Sequence, residues 1–569
     1  MAKLNKNRIS GVWLFFIMNF TRTWIHNNTH KSILSAILFH FMGNYTGELF
    51  NLSPRAEIVQ CIATLLLTLI VVFYQGPKTL KKSATMVAFI LLPLIASGYT
   101  PPPSNNTRSL RQFIQYCDNR IPYLMDQYDI PGVSIALVHA GEPVWSAAWG
   151  YADQEHNRKM TTDAICRVES ISKSVTAWGA LNLVEKGLLD PDAAVQEYLK
   201  DFKLPTSPYD GKSITIRTLL SNTSGMRLGT IGKSVEYEPH SEMPSLQEFI
   251  KHEVGLVREP GTGFLYSNVG FNLLQLVVEQ VSGLDFAAYM DEEILNPLGM
   301  NRAGFDLPDT LLSSVPTGYD LEGTPVPVYV YPASASGGLF ATAEDIARFV
   351  SAGMTGPYAK KQRVLEPESI NKLYTPQVEI PSLFGIVADA YGFGHFIENL
   401  SDGRKAVWHG GQGHGWMTHF HSVPASGDGI VILTNSQRSW PFMARLLSDW
   451  GKWCKVGRIK MGRITCGIIA LKVFIAIVVL LSLGLLFLLF RDWRKGRRRP
   501  DAKPWRAKGR LLQLAAGLTI SSVLIWSSLQ PYLMVESIFP GVVGYAGYAL
   551  LGFALILVTS AFFRQTKNG

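Results

Sequence analysis

The chain has 569 residues, room for several domains, with 47% hydrophobic residues and a formal charge of +9. A charge of that size raises a nucleic-acid partner until it is located. Residues 491–510 hold ten Lys/Arg and two Asp, +8 of the total, which leaves +1 for the rest of the chain. Basic residues packed between apolar runs mark a cytoplasmic loop by the positive-inside rule, and nucleic acid drops out as a partner.

The first apolar run, 9–20, is short for a membrane span, whereas 57–74 is long enough. Between them, 22–44 carries His40 and Asn44. This His-x-x-x-Asn resembles the last block of the CPBP (CAAX protease/Abi) membrane family. That family also requires Glu-Glu-x-x-x-Arg. The only Glu-Glu pair here, Glu292-Glu293, lies in the polar middle region and lacks the arginine. The segment therefore reads as a remnant, with His40 a structural polar group and not a metal ligand. Lys78, Lys81 and Lys82 followed by apolar 84–98 form a signal-anchor-like helix, leading outward to a Pro-rich linker. The expected organisation is a membrane segment over 1–99, a linker over 100–107 and a polar catalytic domain over 108–455. Three transmembrane helices within 464–563 would follow, from apolar runs at 464–490, 511–529 and 541–563. With 491–510 in the cytoplasm, the middle domain lies outside and the tail from Arg564 inside. The five cysteines, at 61, 117, 166, 454 and 466, show no metal-ligand spacing, and a Cys117–Cys166 pair stays open.

Within the middle domain, 132–139 and 143–149 read as two strands of a hairpin joined at Ala140-Gly141-Glu142. Ser170-x-x-Lys173 comes next, ahead of a helix-like pattern over 176–199 that contains a Gly stop. A helix starting at the serine brings residues three apart onto one face, so the amine lies beside the hydroxyl. Serine is a weak nucleophile without an adjacent base, and a lysine serves only if burial keeps part of it neutral. By itself the pattern recurs by chance in proteins of this size. Tyr266-Ser267-Asn268 introduces another helix-like run, 269–282. A tyrosine of suppressed pKa shuttles protons and an asparagine amide fixes a carbonyl, although the pair also suits plain packing at a helix start. His409-Gly410-Gly411-Gln412, ahead of the strand-like 427–435, lets backbone approach a ligand, or forms a Gly-rich hairpin.

The order decides among these readings. Ser-x-x-Lys, Tyr-x-Asn and His-x-Gly, with the blocks 213–226, 294–305 and 335–349 between them, resemble the serine β-lactamase/penicillin-binding superfamily, in its class C-like branch of esterases and D-amino acid peptidases. The resemblance implies an α/β (α+β) β-lactamase-like fold, an antiparallel sheet with packed helices and an inserted helical region. It implies Ser170 as acylated nucleophile, Lys173 as its base and Tyr266 in proton transfer. Asn268, His409, Gly410, Gly411 and Gln412 would bind substrate, with the amides of Ser170 and Gln412 as oxyanion hole and His409 titrating near neutral pH. Asn222, where many relatives have His, has no assigned role.

The function expected is a multi-pass cell-membrane serine hydrolase with its catalytic domain outside the cytoplasm. It would act through an acyl-enzyme on an amide or ester, without cofactor or metal. Its partners would be a small-molecule or peptide/ester substrate, such as a cell-wall peptide, and the lipid bilayer. The alternative is a penicillin-binding or sensor-type membrane protein with little turnover. Intramembrane proteolysis fails on the missing Glu-Glu-x-x-x-Arg.

Overall fold

A computed structural model describes residues 109–569 apart from 307, 381–382, 531–533 and 567–569. The expectations for 1–99 and the linker 100–107 fall outside those residues.

Helix α1, Leu110–Tyr128, opens on a capping box between Ser109 and Gln112 and buries Phe113, Cys117, Ile121 and Leu124 along one stripe. Strand β1, Gly132–His139, turns through Ala140 and Gly141 into β2, Glu142–Asp153. Both turn residues have positive φ, 51° and 79°, which a two-residue hairpin turn requires. With β3 (Arg158–Lys159), β4 (Val378–Glu379), β5 (Ala390–Tyr391), β6 (Phe396–Asn399), β7 (Lys405–Gln412), β8 (Met417–Val423) and β9 (Asp428–Thr434) they build one nine-stranded sheet. Its order is β3-β2-β1-β9-β8-β7-β6-β5-β4, antiparallel throughout.

The central strands are apolar without alternation because helices cover both faces. On the front, Ala136, Val138, Phe420, Val431 and Leu433 join a core with α2 (Ile171–Glu185), α3 (Asn268–Ser282) and α4 (Ala343–Ala352). On the rear, Val133, Ile135, Leu137, Ile430 and Ile432 pack with α1 and α5 (Trp440–Trp453). Burying an aliphatic side chain of this kind contributes about 1.5–3 kcal/mol. Helix α2 ends at the Gly stop within the 176–199 pattern. Gly187 at φ 69° ends it, and only a short 3-10 turn, Val195–Glu197, follows. The possible Cys117–Cys166 pair does not form. Both thiols are free and buried, Cys117 in the rear core and Cys166 in the front one, with the sheet between them.

Beyond α5 come α6 (Arg463–Arg494), α7 (Lys508–Ser528), the short α8 (Met534–Ile538) and α9 (Val542–Ala561). Three of these, α6, α7 and α9, are long and apolar enough to cross a membrane. Within the basic loop, Arg498–Pro500 pairs with Phe563–Gln565, bringing loop and tail to the same end of the helices.

Candidate active site

Ser170 is the N-cap of α2, half-buried, and the turn's own hydrogen bonds begin with the amides of Ile171, Ser172 and Lys173. One turn of helix then puts Lys173 Nζ 3.0 Å from Ser170 Oγ, and the ammonium position is completed by the Ser336 carbonyl at 2.6 Å. Lys173 is fully buried, and desolvation pulls its amine down from 10.5 to about 7, against the opposing charge of Glu169. The pair therefore sets a serine hydroxyl beside an amine that is substantially neutral at physiological pH.

Tyr266 stands over the same amine, its ring centroid 4.9 Å from Lys173 Nζ. The expected suppressed phenol is not found. Burial raises it well above the usual phenol value, offset only in part by its hydrogen bond with Ser170. Tyr266 thus rests as a protonated donor. Asn268 begins α3, half-buried, and its amide N–H donates to the Leu228 carbonyl at 3.0 Å. Asn222, which had no role from sequence, acquires one. It adopts a left-handed φ of 54°, a conformation asparagine tolerates, and its Oδ1 accepts from the Ser267 amide at 2.9 Å. It ties down the middle residue of Tyr266-Ser267-Asn268.

Strand β7 supplies the opposite wall. The β6 ladder with β7 ends at Trp408, opposite Phe396, so, among the described residues, 409–412 run on along a free edge. The Gly413 amide donates across to Trp416 at 3.0 Å, and amides alternate in direction along a strand. Gln412 N–H therefore points to the free edge. His409 does not titrate near neutrality. It is fully buried with its ring among Tyr266, Tyr391 and Phe396, and burial lowers its pKa well below 6.5. With Nδ1 against the Gly410 carbonyl at 2.9 Å and Nε2 against Tyr391 Oη at 3.2 Å, a neutral ring satisfies both contacts.

A further group escaped the sequence reading. Arg167 Nε and Glu169 Oε1 form a buried ion pair at 2.9 Å immediately before Ser170. Tyr329 and Tyr331 donate their hydroxyls to Glu169 at 3.2 and 3.3 Å, and both rings lie under the guanidinium. Glu169 has φ 51°, a strained conformation for a residue with a side chain, held by this network. A methyl group on Gly413 would collide with the Glu169 carboxylate, and one on Gly411 with the Val168 carbonyl. The glycines after His409 thus seat the loop that carries Ser170. A separate depression around Met125, Asp129, Tyr319 and Arg438 contains none of these residues.

The family model described as Beta-lactamase matches residues 117–448, more than half of the chain and all of the groups above. The chain belongs to the Beta-lactamase family. Protein flp of Staphylococcus aureus (strain NCTC 8325 / PS 47) is 26% identical over 327 residues, covering 56% of this chain and 63% of flp. The chain thus spans less than two thirds of that relative. Penicillin-binding protein 4* of Bacillus subtilis (strain 168) is 25% identical over 337 residues, 55% of this chain and 70% of the relative. Among solved structures, the octameric penicillin-binding protein homologue of Pyrococcus abyssi is 27% identical with a TM-score of 0.50, covering 59% of this chain and 77% of that one. The β-lactamase-like α/β fold inferred from the motifs holds. The family model's match begins at residue 117, after the segment that carries the CPBP resemblance.

Proposed function

We propose that this chain is a membrane-anchored serine hydrolase that cleaves an amide or ester outside the cytoplasm by way of an acyl-enzyme on Ser170. The observation carrying the reading is the 3.0 Å contact between Lys173 Nζ and Ser170 Oγ, with the amine near pKa 7. Neutral Lys173 takes the hydroxyl proton as Oγ bonds to the substrate carbonyl carbon. The carbonyl oxygen becomes an oxyanion facing the amides of Ser170 and Gln412, each such donor contributing about 3–4 kcal/mol. Collapse breaks the bond to the leaving group, which takes a proton from the Tyr266 hydroxyl, itself reprotonated from Lys173. Water then cleaves the acyl-enzyme, releasing the acid and restoring Ser170. Asn268 and the edge 409–412 orient the substrate, a small molecule or peptide such as a cell-wall peptide. His409 acts through its backbone and as a neutral wall.

Anchoring rests on the three long helices and on their outward apolar faces. Leu512 and Tyr548 are 69% and 75% exposed, an arrangement suited to lipid. The test is intact-mass analysis of the full chain in detergent with a fluorophosphonate, a penicillin and a chromogenic ester. A single adduct mapping to Ser170, lost in Ser170→Ala, is expected. Labelling or turnover that survives in Ser170→Ala refutes the assignment. A stable adduct with no ester turnover favours the penicillin-binding or sensor alternative.

A further inference from the structure

Side chains alternate across β7. A methyl group on Gly410 would meet the Trp440 ring and His419, so position 410 faces the rear, and Gln412, two residues on, faces the same way. Its amide is held at both ends. Trp440 Nε1 donates to Oε1 at 3.1 Å, and Nε2 donates to Ser537 Oγ at 2.5 Å. Ser537 is fully buried and lies on α8, in the connection between the second and third apolar helices, 125 residues further along. The connection is seated and not merely adjacent. Ile538 and Phe539 pack against the rear core, and Phe539 approaches Gly467 of α6 so closely that a methyl group there would be 2.9 Å from its ring.

We infer that this connection is a positioning element of the catalytic site, with Ser537 fixing Gln412 from behind so that its backbone amide stays aimed at the developing oxyanion. The inference rests on the hydrolase reading above and assigns the apolar helices a part in catalysis beyond anchoring. The physical reason is that, among the described residues, the edge 409–412 has no neighbouring strand on the substrate side to hold it. Its register depends on β8 and on what grips its rear-facing side chains. A donor that drifts loses transition-state stabilisation without much change in ground-state binding, because it bonds chiefly to the charge that develops.

The experiment uses the full chain in detergent with a chromogenic ester. Ser537→Ala should lower kcat about fivefold to tenfold while KM stays within twofold, the pattern of an interaction made in the transition state. Ser537→Thr, which keeps the hydroxyl, should recover kcat to within twofold of the parent. Ser521→Ala on α7, whose hydroxyl donates to the Gly517 carbonyl of its own helix at 2.9 Å, should change nothing. On a Gln412→Ala background, Ser537→Ala should add no further loss, since the side chain it holds is gone. A thermal melt of each variant checks folding. An active parent with Ser537→Ala at full kcat, or a loss that multiplies undiminished in the double variant, overturns the inference alone. A parent that neither labels nor turns over overturns the hydrolase reading, and this one with it.

Discussion

Lys173 gives the sharpest quantitative test, because one buried amine governs both rate and stability. With its pKa near 7 instead of 10.5, about three-quarters of it is neutral at pH 7.5, against about one part in a thousand for an ordinary lysine. The value of kcat/KM for a chromogenic ester should rise about tenfold per pH unit below pH 7 and level off above it. Stability should move with the same group. Its folded pKa lies below its unfolded one, so between about 7 and 10.5 the unfolded chain binds more protons, and stability rises with pH through that window. Below pH 7 the whole cost of burying the amine is present, about 5 kcal/mol for a shift of 3.5 units, and at pH 9 about 2 remains. Lys173→Met removes the titration while filling the same space. Relative to the parent it should be more stable at pH 6 than at pH 9 by about 3 kcal/mol, measured by urea unfolding at the two pH values. Its ester turnover should fall at least about 10²-fold. A flat rate profile from pH 5.5 to 8.5, or a Lys173→Met stability difference independent of pH, would refute the reasoning.

Tyr266→Phe should reduce kcat about 10²-fold with the fold intact, the usual worth of a positioned proton donor; full activity would move proton transfer to Lys173 and water. Asn222→Ala strands the buried Ser267 amide and forces alanine into a left-handed conformation. Together these should lower unfolding stability by about 2–4 kcal/mol in a denaturant titration, and an unchanged midpoint would deny Asn222 its tie. For topology, a cysteine introduced in 491–510 should resist an impermeant thiol reagent on intact cells, while one on the exposed rim of the catalytic domain reacts. Moving ten cationic side chains through a bilayer centre costs about 2.5–3.5 kcal/mol each, and labelling of the loop would reverse the orientation.

What sequence reasoning could see was local. The β1–β2 hairpin, the helix after Ser267 and the start of α2 at Ser170 all follow from turn chemistry, caps and periodicity within a few residues. Ser-x-x-Lys worked because three positions on a helix fix a distance. What stayed hidden depended on partners far along the chain. Asn222 reaches Ser267 across 45 residues and Gln412 reaches Ser537 across 125, and neither side chain advertises its partner. Arg167 and Glu169 look like a solvated charged pair when read in order. Only the tyrosines from 329 and 331 enclose them. Burial was the other blind spot: it reversed the expected pKa of Tyr266 and removed His409 from the neutral range, because the aromatic walls around both come from β5 and β6.

The carboxylate of Glu169 beneath Gly413 has a bearing on how this protein can change. Neither residue is free to vary alone. Any side chain at 413 strikes the acid, while a neutral residue at 169 leaves the Arg167 charge buried without its partner, a loss of about 3–5 kcal/mol. Substitutions at 167, 169 and 413 are therefore epistatic, and a saturation library at any one of them should return few active clones. A combined Arg167→Met, Glu169→Ala, Gly413→Ala library member removes the charge, its counter-charge and the collision at once. It should be more stable than Glu169→Ala alone, which couples the three positions.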